Sequence, residues 1–194
     1  KRDDRIEPTS GFIMRATQDF AGLGGDARYV RTTGTYVHYF PIMEEVVFSA
    51  GLDAGIIKAL GKRLDINSRF FVGGDSFRGF EVGGIGPRDT KSDDALGGEI
   101  YYVGTAEVIF PLGLPNEFGI KGRLFTQAGS LFDIHEREIP GNPIADSSAL
   151  RVTAGFGISW TSPFGPIRVD LGFPLMKEDE DETELFRFNF GTRF

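Results

Sequence analysis

The stretch Leu150-Arg151-Val152-Thr153-Ala154-Gly155-Phe156-Gly157-Ile158-Ser159-Trp160 decides how this chain folds. Val152, Ala154, Phe156, Ile158 and Trp160 recur at every second position, opposite Arg151, Thr153, Gly155, Gly157 and Ser159. A period of two belongs to a pleated strand, whose side chains alternate between faces. The polar face is the informative one. A strand of a water-soluble sandwich hides its apolar face and solvates the other with Lys and Glu. Here the polar face is Gly, Ser, Thr and one Arg, while the apolar face is dense and ends in Trp160. That is the pattern of a strand with lipid outside and a polar lumen inside.

The same period extends in both directions. Toward the C-terminus, Pro166 to Phe173 sets Ile167, Val169, Leu171 and Phe173 opposite Arg168, Asp170 and Gly172. Leu185 to Phe194 sets Phe186, Phe188, Phe190 and Phe194 opposite Arg187, Asn189, Gly191 and Arg193. Toward the N-terminus, Gly119 to Leu131, Gly98 to Phe110, Glu45 to Ile56, Tyr29 to Phe40 and Phe12 to Phe20 read as strands, with Glu107, Arg123 and Gln127 on polar faces. The connections at 41–44, 111–118 and 161–165 are short and contain Pro; those at 61–97, 132–149 and 174–184 are longer and polar, and 21–26 is a short exception. Short turns on one side and long loops on the other suit an outer-membrane barrel, and Phe40, Phe110, Trp160 and Phe194 would stand in its aromatic girdle. The expected class is all-β: an antiparallel transmembrane β-barrel fragment of eight meandering strands with a long inward-folded loop.

Composition excludes other classes. A length of 194 residues suits one or at most two domains. A net charge of −7 leaves no basic stripe for nucleic acid. The absence of Cys removes disulfides and thiolate metal sites. No run of about 18 apolar residues makes a membrane helix, although barrel strands cross with only about 9–11 residues each. No cleavable signal stands at Lys1, so any targeting segment is expected to have been removed or to lie upstream.

The loop from Gly61 to Gly97 breaks the alternation. Loops beyond about 12–15 residues in a compact domain are usually functional or disordered. A disordered loop would not expose Phe70, Phe71, Phe77 and Phe80 to solvent, so this one is expected to dock, with Arg78 at its tip. A guanidinium presents a planar fork suited to a carboxylate, and Gly79 lets the backbone approach a wall closely.

Other candidate sites carry less. The acidic run from Lys177 to Glu184 lacks the glycine and spacing of a calcium loop and reads as a solvated outer turn. Gly83-Gly84-Ile85-Gly86-Pro87 has no Gly-Lys-Ser/Thr after it and opens no helix, so it is not a phosphate loop. His38 and His135 have no Cys or carboxylate at ligand spacing. No Ser-His-Asp arrangement assembles. No metal, cofactor or enzymatic activity is expected.

From the arginine loop onward the chain resembles the BamA family of barrel-assembly insertases. Phe77-Arg78-Gly79-Phe80 is similar to the family's arginine-glycine-phenylalanine loop motif, which folds into the lumen. Ala95-Leu96-Gly97-Gly98 with Glu107, Leu124 to Gly129, and Trp160 to Pro166 continuing through Phe173-Pro174 are similar to the strands that follow, and Phe194 to the aromatic C-terminus. The resemblance implies that Arg78 pairs with Glu107. The family commonly has an aspartate where Gln127 stands, so Glu107 is expected to carry more of the charge.

The resemblance further implies that residues 1–194 are the C-terminal part of a sixteen-stranded barrel, with POTRA repeats and eight strands upstream. It implies a non-enzymatic factor of the Gram-negative outer membrane that folds and inserts barrel proteins through a seam between first and last strands. Phe186, Phe188, Phe190, Gly191 and Phe194 would belong to that seam, and Gly172 and Gly191 would loosen it. Nascent outer-membrane proteins, accessory assembly lipoproteins and outer-membrane lipids are the implied partners. Free strand edges at Phe12–Phe20 and Leu185–Phe194 also invite pairing with another copy. The alternatives are a two-partner secretion or translocation-and-assembly pore of the same superfamily, and a passive porin.

Overall fold

The computed structural model describes residues 2–3, 8–22, 28–61, 64–134 and 143–191. Eight strands form one antiparallel sheet: β1 (Gly11–Ala21), β2 (Tyr29–Met43), β3 (Val46–Ala59), β4 (Ile100–Pro111), β5 (Ile120–Phe132), β6 (Arg151–Ser162), β7 (Gly165–Met176) and β8 (Phe186–Phe190). Each pairs with its neighbour in chain order, from β1 at one edge to β8 at the other. The sheet is a meander, and among the described residues its two edges do not pair with each other.

The faces are inverted relative to a water-soluble protein. Leu52, Leu124, Phe156, Ile158, Phe186, Phe188 and Phe190 are exposed on one side, while Glu107, Arg123, Gln127, Arg151 and Asp170 are buried on the other. Exposed apolar side chains beside buried charges fit a lipid-facing exterior and a polar interior. The loop between β3 and β4 lies on the interior side. There Val72, Phe77, Phe80 and Ile85 from the loop pack with Val103 and Leu131 of β4 and β5, and Phe70 and Tyr101 flank them. Phe71 departs from the sequence reading, since it is exposed. One large ring of the loop is left outside its core.

Several boundaries also move. The first turn is not 41–44: β2 continues through Met43, and Glu44-Glu45 turns alone, with Glu45 at a φ of 63°. Pro41 is tolerated because β1 ends at Gly11 opposite Tyr39, so no β1 carbonyl needs its missing N–H. The ladder to β3 shifts register just after it, between Pro41 and Met43. Likewise the turn after β6 is Pro163-Phe164, with Thr161 and Ser162 still paired. The last strand is five residues, Phe186–Phe190, rather than Leu185–Phe194. Gly191 is a bend outside it at a φ of 112°. Phe194 and His135 lie outside the described residues.

The acidic run is the largest correction. Thr183 and Glu184 pair with Phe80 and Gly79 in a short antiparallel ladder, so the segment after β7 covers the loop tip, while Lys177, Asp179, Glu180 and Glu182 stay exposed as a solvated turn would. It turns inward because its carboxylates meet arginines there.

Candidate functional site

The site forms where the loop tip meets β4, β5 and β7. Their pleat sends Glu107, Gln127 and Asp170 to the interior face in three neighbouring rows of the ladder. The Arg78 Nη1 donates to Glu107 Oε2 at 2.8 Å. The same nitrogen lies 3.5 Å from Asp170 Oδ2. Arg78 also donates twice to Gln127 Oε1, from its backbone N–H at 2.9 Å and from Nε at 3.1 Å. Its guanidinium carbon lies 3.5 Å from the centroid of the Phe125 ring, a cation–π contact. One arginine therefore satisfies its charge, its donors and its flat face on three strands. Gln127 in turn donates to Thr105 Oγ1 at 3.0 Å, so the amide bridges wall and loop.

Two residues here were not singled out from the sequence. Arg123 of β5 donates to both oxygens of Glu107, and its Nη1 donates to Asp170 at 3.1 Å. The side chains of Arg123 and Asp170 are each 1% exposed. Register explains how strands two apart can meet. Arg123 pairs with Gly157, and Gly157 pairs with Asp170, so the three lie in a row across β5, β6 and β7. A Cβ at Gly157 would fall 2.1 Å from Asp170 Oδ1. The glycine leaves the gap through which the ion pair forms. Both residues had been visible as polar-face members of their strands; nothing in a lone sequence says that a glycine between them lets them touch. Because Asp170 stands beside Arg78, Glu107 does not carry the charge alone.

The next row works the same way. Phe125 pairs with Gly155, and Gly155 with Gly172, which forms a trough free of side chains beside the aromatic ring. Gly79 sits in it at a φ of 96°; a Cβ on Gly172 would lie 2.7 Å from the Gly79 nitrogen. Gly172 is thus the floor on which the loop tip rests, not a loosening element of the seam.

At the rim the acidic segment closes over the loop. Glu81 N–H donates to the Glu182 carbonyl at 3.1 Å, and Glu182 N–H donates to the Gly84 carbonyl at 2.9 Å. Arg151 of β6 donates to both oxygens of Asp181, at 3.0 and 3.2 Å. Arg88 of the loop lies 3.1 Å from Glu182. Ile85, within the glycine-rich stretch once weighed as a phosphate loop, is buried in the core.

The expected seam residues fall as follows. Phe186, Phe188 and Phe190 are exposed on the apolar face of β8, and Arg187 points inward to Glu184, with Asp75 of the loop 3.7 Å away. Among the described residues, only one edge of β8 is paired, with Ile167 to Leu171 of β7. Among the described residues, no group of three or more His, Cys, Asp or Glu is placed to hold a metal ion.

The family model described as the Omp85 superfamily domain matches residues 1–194. The outer membrane protein assembly factor BamA of Neorickettsia risticii (strain Illinois) is 36% identical over 198 residues, covering 100% of this chain and 26% of that protein. BamA of Neisseria meningitidis serogroup B is 29% identical over 221 residues, covering 100% of this chain and 27% of that protein. This chain therefore spans about a quarter of the length of these curated relatives. The crystal structure of BamA from Haemophilus ducreyi lacking POTRA domains 1–3 shares the fold with a TM-score of 0.83 at 21% identity, over 97% of this chain and 39% of that one.

Proposed function

Because the chain belongs to the Omp85 superfamily, we propose that it forms the C-terminal part of the barrel of an outer-membrane protein assembly factor in a Gram-negative bacterium. Its work is to help nascent β-barrel proteins fold and insert, without covalent chemistry. Accessory lipoproteins and the first half of the barrel belong to the full-length protein.

The observation that carries this reading is the inverted sheet with the Arg78 loop docked on its interior face, whose last strand, β8, would meet the first half of the barrel across the seam. An edge strand offers a row of unpaired N–H and C=O groups, and an incoming strand satisfies them by β-augmentation. In lipid each unsatisfied backbone group costs several kcal/mol, so a templating edge lowers the barrier to insertion. The five-residue ladder between β7 and β8 holds that edge with few hydrogen bonds. The docked Arg78 loop fills the interior face and so speaks against a passive porin. A secretion or translocation pore of the same superfamily would use the same loop and is the reading to be separated.

The test uses the full-length protein in vesicles with an unfolded outer-membrane barrel as substrate. Arg78→Ala is expected to slow substrate folding by about tenfold, the effect of removing one buried charged partner. A disulfide locking β8 to the strand across the seam is expected to stop folding until it is reduced. Folding at the wild-type rate with the seam locked would sink the seam mechanism. Large, steady conductance without substrate folding would favour the porin instead.

A further inference from the structure

We propose that Asp170 and Arg123 are positioning residues for the loop, and that the interior needs a second carboxylate whose location is interchangeable between positions 170 and 127. This rests on the assembly function above, and it concerns residues to which that function has not yet given a role. Glu107 has two guanidinium partners, Arg78 and Arg123, and each of these also faces Asp170. Two carboxylates and two guanidiniums thus form a closed ring. Arg168, two residues before Asp170 on the same face, is within electrostatic reach of all four. The interior is already rich in positive charge.

Removing the negative charge at Asp170 would leave both Arg78 and Arg123 to share the single carboxylate of Glu107. Arg123 would then compete with Arg78 for the same two oxygens, and a buried cation without a partner is costly. The loop is the movable member of the ring, since Glu107, Arg123 and Asp170 are fixed on paired strands. Arg78 would leave. Position 127 is the other place from which a carboxylate can hold it. Gln127 Oε1 already accepts from Arg78 Nε at 3.1 Å, and glutamate has the same shape with a charge added. The Thr105 hydroxyl, now an acceptor from Gln127, can rotate to donate to that carboxylate.

The experiment compares D170N, Q127E and D170N/Q127E in the full-length protein. Two readouts are taken: substrate folding in vesicles, and the distance between spin labels on cysteines at Ser76 and Phe164. These 194 residues contain no native Cys to compete for the labels. D170N is expected to broaden and lengthen the Ser76–Phe164 distance and to slow substrate folding by at least about tenfold. D170N/Q127E is expected to restore both to within about threefold of wild type, a deficit of under 1 kcal/mol. If D170N fails to insert at all, recovery of insertion by the double variant supports the proposal equally. A double variant no better than D170N, or a D170N loop that stays in place, overturns it. A displaced loop with wild-type substrate folding would uphold the positioning role and count against the assembly reading.

Discussion

The loop is held in two places, and they differ in kind. At the wall, Arg78, Arg123, Glu107 and Asp170 are buried, come from the loop and three strands, and share their partners in a ring. At the rim, the acidic segment holds the loop mainly by backbone: a two-residue ladder and reciprocal hydrogen bonds of Glu182 with Glu81 and Gly84. Its carboxylates grade outward. Asp181 is buried against Arg151, whereas the side chain of Glu182 beside Arg88 is 45% exposed. Removing one member of a buried pair strands a charge in low dielectric, while a solvated pair is screened and is worth about 0–1 kcal/mol. The wall therefore decides whether the loop docks, and the rim decides how tightly it is covered.

The sharpest way to break this contrast is Arg123→Met. It leaves Arg78 as the one ion-pair partner that Glu107 and Asp170 still share, with Arg168 within electrostatic reach, and the expected loss is about 3–5 kcal/mol. A fall in the urea midpoint of the folded protein in detergent would report it. An unchanged midpoint would mean that the ring is no more cohesive than the rim. Gly172→Ala comes next. Its Cβ would press on the Gly79 nitrogen, backbone against backbone, so neither side yields easily. A cost of about 1–3 kcal/mol is expected, together with faster protease cleavage near Asp75, an exposed residue just before the tip.

Asp181→Asn tests the inner edge of the rim. Asparagine keeps the shape but leaves Arg151 without a charged partner. Arg151 also donates to the Ser147 and Ala149 carbonyls, which soften the loss. About 2 kcal/mol is expected, as for a charged hydrogen bond removed from a buried site. Glu182→Gln beside it should cost less, because Arg88 keeps Asp93 and the Gly83 and Asp93 carbonyls, and the backbone bonds of residue 182 survive. Equal effects of the two would erase the gradient on which the comparison rests.

These two regions were unequally legible in the sequence. The eight strands followed from alternation because a strand with lipid on one side must keep its faces chemically distinct. The loop tip was legible because four phenylalanines and a glycine-flanked arginine make no sense in solvent, although Phe71 shows that the inference fails ring by ring. Asp181 was hidden for the opposite reason. Among the neighbouring Glu178, Asp179, Glu180, Glu182 and Glu184, nothing local marks the one that turns inward to Arg151. Arg123 and Asp170 were placed on the correct face, but their meeting depends on Gly157 between them, a property of register across three strands. The shortened β8 was hidden too. Leu185, an apolar residue at a polar-face position, still accepts from the Gly172 N–H, yet Thr183 and Glu184 are already committed to the loop, so the strand starts only at Phe186.

That commitment sets the smallest and most discriminating effect. Arg187 on β8 pairs with Glu184 and lies 3.7 Å from Asp75, whose side chain is 65% exposed. It is the one ion-pairing side chain among the described residues that joins the seam strand directly to the loop tip. Arg187→Ala should cost no more than about 0.5 kcal/mol, since both contacts are open to solvent. Its effect should instead appear at the edge. With the rim segment less tied to β8, amide hydrogen exchange at Phe186 to Phe190 should quicken, while exchange in β4 and β5 stays unchanged. If both regions quicken together, the wall and the rim are one cooperative unit. If neither does, β8 is held by its ladder to β7 alone.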